Sequence, residues 1–265
     1  MKGRMGVLIF SVALFMLCIQ LPVIFVEQIS GLWDVMEKAM ADYMALFSNF
    51  SYAGLNDWAQ AYSGKIGFSF ASFVFMLLVP GPLTLGLSRI WLNVLRGKEA
   101  YADMIFSGFS EFIRVVSMDT FRRILMILWA ILLIIPGIIA WYRYSQAFFL
   151  VADNPKMGPF ETIALSKHYM EQNKAPRFLL DLSFIGWFAL SVVVFYAIDG
   201  GVTAVLLSAG AEPSAFVQML VSAIVNSVVF APVFAYRGVA SADFYHRVIC
   251  RDPGSFRDPP ALTSL

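Results

Sequence analysis

Charge is scarce in this sequence. Only 14% of its 265 residues are Asp, Glu, Lys or Arg, and the net charge is +1. An average soluble domain carries about 25%. So little charge excludes an ordinary soluble domain, a disordered chain and a coiled coil, and no basic face is available for nucleic acid. Cysteine is almost missing: Cys18 lies in an apolar run and Cys250 in a basic tail. The two are expected at different depths, which excludes a disulfide scaffold and reads both as free thiols. The eighteen glycines follow no period, so collagen is excluded as well. Histidine occurs twice, at His168 and His246, without the spacing of metal ligands. No P-loop, GxSxG, HExxH or CxxC occurs, and Ser183 and Ser191 have no histidine nearby in sequence. The expectation is therefore a protein with no catalytic residue, no cofactor and no metal.

What the chain has instead is apolar length. Apolar residues make up 59%, and the mean hydropathy is +0.73. Uncharged stretches cover 5–26, 66–88, 124–142, 182–198 and 213–236. Each approaches the roughly 20 residues that cross about 30 Å of hydrocarbon. The first follows Met1–Arg4 like a signal peptide but runs on to Val26 with no small-x-small site after it, so it is read as a first transmembrane helix.

The positions of the basic residues test the topology. If every stretch crosses once from a cytoplasmic N-terminus, 8 of the 19 Lys and Arg fall inside and 11 outside. If the segment 124–152 instead enters and returns to the same side, 17 fall inside and only Lys38 and Lys65 fall outside. The second arrangement is favoured, with a turn expected at Pro136-Gly137. Its two arms are short, about 22 Å each at 1.5 Å per residue, as in a re-entrant loop buried by its neighbours. The rival is one long helix kinked at Pro136. The resulting architecture is all-α: a polytopic bundle of about six membrane segments, near 5–26, 66–88, 122–136, 138–152, 178–198 and 213–236. These form a single membrane domain over 1–250, followed by a flexible tail at 251–265. Both termini are expected in the cytoplasm.

Three connectors are amphipathic. Ile29, Trp33, Met36, Met40, Tyr43, Met44 and Phe47 recur at helical spacing on the outer side. Ile105, Phe106, Phe109, Phe112, Ile113 and Val116 do the same on the inner side. A third helix is expected to start at Gly158-Pro159, with Glu161 near its positive end, and to run to about Asn173. Asn49-Phe50-Ser51 spells a glycosylation sequon.

Proline precedes arginine three times in apolar surroundings: Pro80 and Arg89, Pro136 and Arg143, Pro232 and Arg237. Proline frees a carbonyl and bends a helix, while an arginine just beyond an apolar run marks the interface. In the hairpin reading Arg143 lies six residues past the turn, at membrane depth, where a charge is a functional candidate by default. In the kinked-helix reading it snorkels to the interface. Asp181, just inside the next span, is a second candidate with Arg177 available four residues earlier. Gln218 and Asn226 read as glue between helices. Gly67, Ala71, Gly186 and Ala189 are the small residues expected to allow close packing.

Several strings carry a family resemblance. They include Ile135-Pro136-Gly137-Ile138-Ile139, Tyr144-Ser145, Ala152-Asp153-Asn154-Pro155, Ala164-Leu165-Ser166-Lys167 and Leu180-Asp181-Leu182-Ser183-Phe184-Ile185-Gly186-Trp187. Gly81-Pro82-Leu83 with Gly86 and Phe244-Tyr245 add to them. Together they resemble domain-of-unknown-function family 975, an uncharacterised bacterial family of integral membrane proteins, over roughly residues 1–247. The central block is also loosely similar to the membrane domain attached to some glycerophosphodiester phosphodiesterases. The resemblance implies a short helical lead before the first span, whereas this sequence begins almost at the span. The resemblance implies a polytopic protein of the cytoplasmic membrane and supplies no activity. Within the matching strings Asp153 and Asn154 join Arg143 and Asp181 as candidate functional polar residues. The expected function is a non-enzymatic component that binds a lipid, a peptide or a protein partner, a second copy of itself included. A small transporter or channel-like subunit built on Pro-broken helices is the alternative, and a membrane-embedded enzyme acting on lipid is a third.

Overall fold

The computed structural model describes residues 4–49, 52–62, 70–211 and 213–249. Every regular element among them is helical. Helix α1 (Met5–Ile29) is followed by α2 (Leu32–Asn49), α3 (Tyr52–Tyr62), α4 (Phe70–Leu78) and α5 (Pro80–Leu95). A 3-10 helix (Ala102–Glu111) leads into α6 (Phe112–Leu132) and α7 (Ile134–Arg143). Then come α8 (Ala147–Asp153), α9 (Pro159–Tyr169), α10 (Lys174–Ser183), α11 (Ile185–Ser208) and α12 (Ala215–Ile249).

Four helical stretches are long and apolar enough to cross a membrane: Met5–Ile29, Phe70–Leu95, Lys174–Ser208 and Ala215–Val248. At 1.5 Å per residue even the shortest reaches about 37 Å, more than the hydrocarbon core. Their apolar side chains point largely outward: Val193 is 65% and Phe10 61% exposed, the pattern of a surface solvated by lipid rather than water.

The long helices pack antiparallel, as their pairings show. Phe25 meets Phe216 edge to face at 5.3 Å between centroids, and Gln20 donates to Asn226 at 3.3 Å, joining α1 to α12. Gln218 donates to Thr203, and Ser222 to Asp199, each at 2.7 Å, joining α12 to α11. Gln218 and Asn226 thus act as interhelical glue. Leu8 and Val12 of α1 pack with Leu83, Leu87, Ile90 and Val94 of α5 and with Ala231 and Ala235 of α12.

Several expectations are corrected in detail. The chain does turn back within 124–152, but at Leu133 and not at Pro136-Gly137. Leu133 is extended (φ −163°, ψ 148°), and a Cβ on Gly137 would stand 2.8 Å from the Cα of Ala130. That contact brings α7 back onto α6 and excludes a single kinked helix. Pro136 sits in the first turn of α7, where its missing N–H removes no bond. The returning arm is also shorter than 138–152: α7 ends at Arg143, and α8 is a separate buried helix. The segment around 105–116 is not one α-helix. It starts as a 3-10 helix because its backbone must lie against α5, where Cβ atoms on Gly86 and Gly108 would run into the carbonyls of Ile105 and Pro82. Residues 199–208, read as part of an outer loop, continue α11, so Asp199 lies inside a candidate span. The helix from Pro159 stops at Tyr169 rather than near Asn173, while Glu161 accepts the Gly158 N–H at 3.3 Å as its position implies. Close packing uses Gly81, Gly86, Gly108, Gly137 and Gly238; a Cβ on Gly186 would meet nothing within 4 Å. The sequon residues Phe50 and Ser51, Gly67, Cys250 and the segment 251–265 lie outside the described residues.

Candidate functional site

Two cavities lie along α1. One, about 370 Å³, is walled by Ile19, Gln20, Val23, Met76, Phe195 and Asn226, with Ser222 and Ala223 completing its floor. The other, about 360 Å³, is walled by Val12, Phe15, Leu87, Trp91, Phe234 and Arg237. Both have Ile19 and Gln20 in their walls, so they are two adjacent, mostly apolar hollows of a groove on the side of α1. Polar groups stand at intervals along it: Ser222 and Asn226 toward one end, Gln20 at the middle, Thr84 and Arg237 toward the other. Thr84 turns its hydroxyl onto the Pro80 carbonyl at 2.6 Å.

The Arg237 end is rich in donors and poor in acceptors. Arg237 gives Nε and Nη2 to the same oxygen, Oδ1 of Asp181, both at 2.9 Å. Arg177 reaches that oxygen at 3.4 Å, one turn before Asp181 on α10. Arg177 is only 5% exposed, its guanidinium 5.7 Å from the centre of the Phe244 ring. Its Nε and Nη1 are buried without any acceptor, and so is Nε1 of Trp91 in the groove wall. The Trp91 indole lies flat on Gly238, where any Cβ would collide with it.

The expected candidates separate into two roles. Asp181 belongs to this donor-rich end. Asp153 and Asn154 do not: Asp153 receives both arms of Arg96 at 2.6 Å and the Tyr245 hydroxyl at 3.0 Å. The Asn154 carbonyl accepts from Arg114 at 3.1 Å, and its side chain bonds back to Leu150. These two residues tie α8 to the ends of α5 and α12 and to the start of α6. Arg143 stands apart from both. It closes α7, lies 5.9 Å from the Trp129 ring centre, and its carbonyl accepts from Ser166 at 3.1 Å.

A different charge stands beside a span. Pro80 has no N–H, so the Met76 carbonyl four residues earlier loses its helical partner. Arg123 supplies one, donating to Met76 O at 2.7 Å. Arg123 and Arg122 share Asp119, which is 1% exposed, at 2.5 and 2.6 Å. Gly81 lets Asp119 approach: a Cβ there would stand 3.3 Å from its Oδ2. This cluster, missing from the expectations, is foreshadowed by two features: a proline that frees a carbonyl, and an Asp with arginines three and four residues later. On the face of the bundle carrying α2 and α3, Trp58 donates to Ala39 at 2.8 Å and Tyr62 to Asp42 at 2.5 Å. The Asp42 carboxylate raises the Tyr62 hydroxyl above its ordinary pKa. Among the described residues no group of three or more His, Cys, Asp or Glu stands close enough to hold a metal ion.

No curated protein and no solved structure matches the chain. Residues 119–252 match the family described as a protein of unknown function, DUF975. That match spans most of α6, all of α7 to α12 and the residues Asp153, Arg177, Asp181 and Arg237, but neither Arg96 nor Trp91, and by it the chain belongs to family DUF975.

Proposed function

We propose that the protein is a non-enzymatic, multi-pass component of the bacterial cytoplasmic membrane that holds a lipid in the groove along α1. The observation that carries the reading is the groove itself: two adjacent, mostly apolar hollows of some 360 and 370 Å³ that share Ile19 and Gln20 in their walls, with a cation at one end. Apolar pockets with a few placed polar groups are the common form of small-molecule sites, and an acyl chain is what the surrounding solvent supplies. Amides, hydroxyls, an indole and a guanidinium line the groove; none of these is a nucleophile with a base beside it, which supports binding rather than catalysis.

The membrane arrangement belongs to the same reading. Four long helices cross, and the α6–α7 hairpin enters and leaves on one side, giving about six membrane segments. Its tip is bare apolar surface, with Ile131 77% and Ile134 78% exposed, which supports insertion into lipid. Both termini and the basic connectors face the cytoplasm. A protein partner or a second copy would meet the outward apolar faces.

The test is native mass spectrometry of the full chain after gentle extraction. The expected result is one retained lipid per chain, lost when the groove is filled by Ala223→Phe or Leu87→Trp with the fold retained by circular dichroism. An empty wild-type protein overturns the reading. The second reading, a small transporter, draws on the span broken at Pro80 and capped by Arg123. Solute flux in proteoliposomes without lipid retention would favour it.

A further inference from the structure

The geometry points to an anionic phospholipid as the occupant of the groove, with its phosphate at the end lined by Arg237 and Trp91, where Arg177 stands behind Arg237 on the shared Asp181; this rests on the lipid-binding reading above. The argument is one of unequal donors and acceptors. Two guanidiniums converge on one oxygen of Asp181, so the end carries a net charge of +1. Buried charges are stable only when paired and hydrogen-bonded. Here Asp181 serves two arginines through one oxygen, leaving buried Nε and Nη1 of Arg177 with no acceptor.

Trp91 lines the groove, and its indole Nε1 is buried without an acceptor. The group that satisfies this end must therefore accept hydrogen bonds, donate none, carry negative charge and be attached to an apolar chain. A phosphodiester has that character, with ester carbonyls a few bonds away to meet an indole N–H. Guanidinium groups bind phosphate oxygens through charge-assisted, often bidentate hydrogen bonds. A zwitterionic headgroup adds an ammonium, and Asp181, the carboxylate beside Arg237, is already shared. A fatty alcohol or diacylglycerol would bring no charge to offset the second arginine.

The experiment is competition by native mass spectrometry on the full chain in mixed micelles. The probes are phosphatidylglycerol and phosphatidylcholine with the same acyl chains, in equal amounts. Wild-type protein is expected to retain phosphatidylglycerol about tenfold over phosphatidylcholine, the scale of one charge-assisted hydrogen bond. Arg237→Gln brings the ratio near one while lipid is still retained, and Arg237→Lys keeps part of it. Asp181→Asn removes the competing carboxylate and raises the ratio. Arg177→Gln lowers it, with Arg237→Gln deciding the matter if that variant fails to fold. Lipid retained by wild type without preference overturns this inference and leaves the groove reading standing; no retained lipid overturns both. A preference that survives Arg237→Gln also overturns it. So does its abolition by excess inorganic phosphate, which would assign the site to the free anion.

Discussion

At the scale of single residues the protein depends on positions where a backbone or a ring comes closer than a Cβ permits. Gly238 is one, because the Trp91 indole occupies the space a methyl group would need. Gly238→Ala must push that ring into the groove or move α12. Such overpacking costs about 1–3 kcal/mol, so the expected result is a lower thermal midpoint together with weaker lipid retention. A midpoint equal to wild type would show that the ring has room to move. Asp119 is the residue-scale test of charge. It is 1% exposed and is the carboxylate shared by Arg122 and Arg123. Removing one partner of such a buried set leaves charge uncompensated, a loss of about 3 kcal/mol. Asp119→Asn is therefore expected to lower the midpoint by roughly 6–10 °C, while Asp243→Asn, whose ion pair with Arg247 is exposed, changes it little.

At the scale of elements, breaks in the helices are built to be satisfied. The α4–α5 break leaves Met76 O to Arg123, which ties α6 to a candidate span. Pro80→Ala returns an N–H to the Met76 carbonyl and makes the arginine redundant there. In a double-mutant cycle Arg123→Ala should destabilise the wild-type background by about 1–2 kcal/mol more than the Pro80→Ala background. Additivity of the two changes would sink the idea. Much of the element layout was legible beforehand. Long uncharged stretches marked the four candidate spans, Gly158-Pro159 with Glu161 marked the start of α9, and the side-counting of Lys and Arg favoured a chain that turns back. The turn itself was misplaced because Pro and Gly punctuate so strongly in sequence, whereas here Pro136 starts a helix and Gly137 packs against Ala130. The 3-10 helix was invisible because its cause is a close approach to α5, which leaves only the glycines 86 and 108 as trace. Asp181 was found from its setting in an apolar run. Arg123 was not, since nothing in its own neighbourhood shows that the carbonyl it serves lies 47 residues away.

At the scale of the whole molecule, distant parts of the chain converge on one end of the bundle. Arg96 at the end of α5 holds Asp153, and Asp153 holds Tyr245 near the end of α12. Gly97 lies beside Arg4, at the start of α1. The start of α1, the end of α5, the end of α8 and the far part of α12 thus share a side, whatever the orientation of the bundle. The other ends of α1 and α12 meet at Phe25 and Phe216, next to the connection that leads into α2 and α3. Counted along the sequence, seventeen of the nineteen Lys and Arg fall outside the segment 27–65, and the orientation proposed above therefore puts the first side in the cytoplasm. Cysteine labelling in intact cells tests this as a unit. In a background with Cys18 and Cys250 replaced by serine, an impermeant maleimide is expected to label Asp57→Cys on α3 and to leave Lys98→Cys and Lys156→Cys unlabelled until the membrane is opened; all three positions are exposed. Labelling of Lys98 and Lys156 with protection of Asp57 would invert the orientation but keep the fold. Labelling of Lys156 with protection of Lys98 would break the Arg96–Asp153 tie that holds them on one side, and with it the reading of α6–α7 as a hairpin that returns to the side it left.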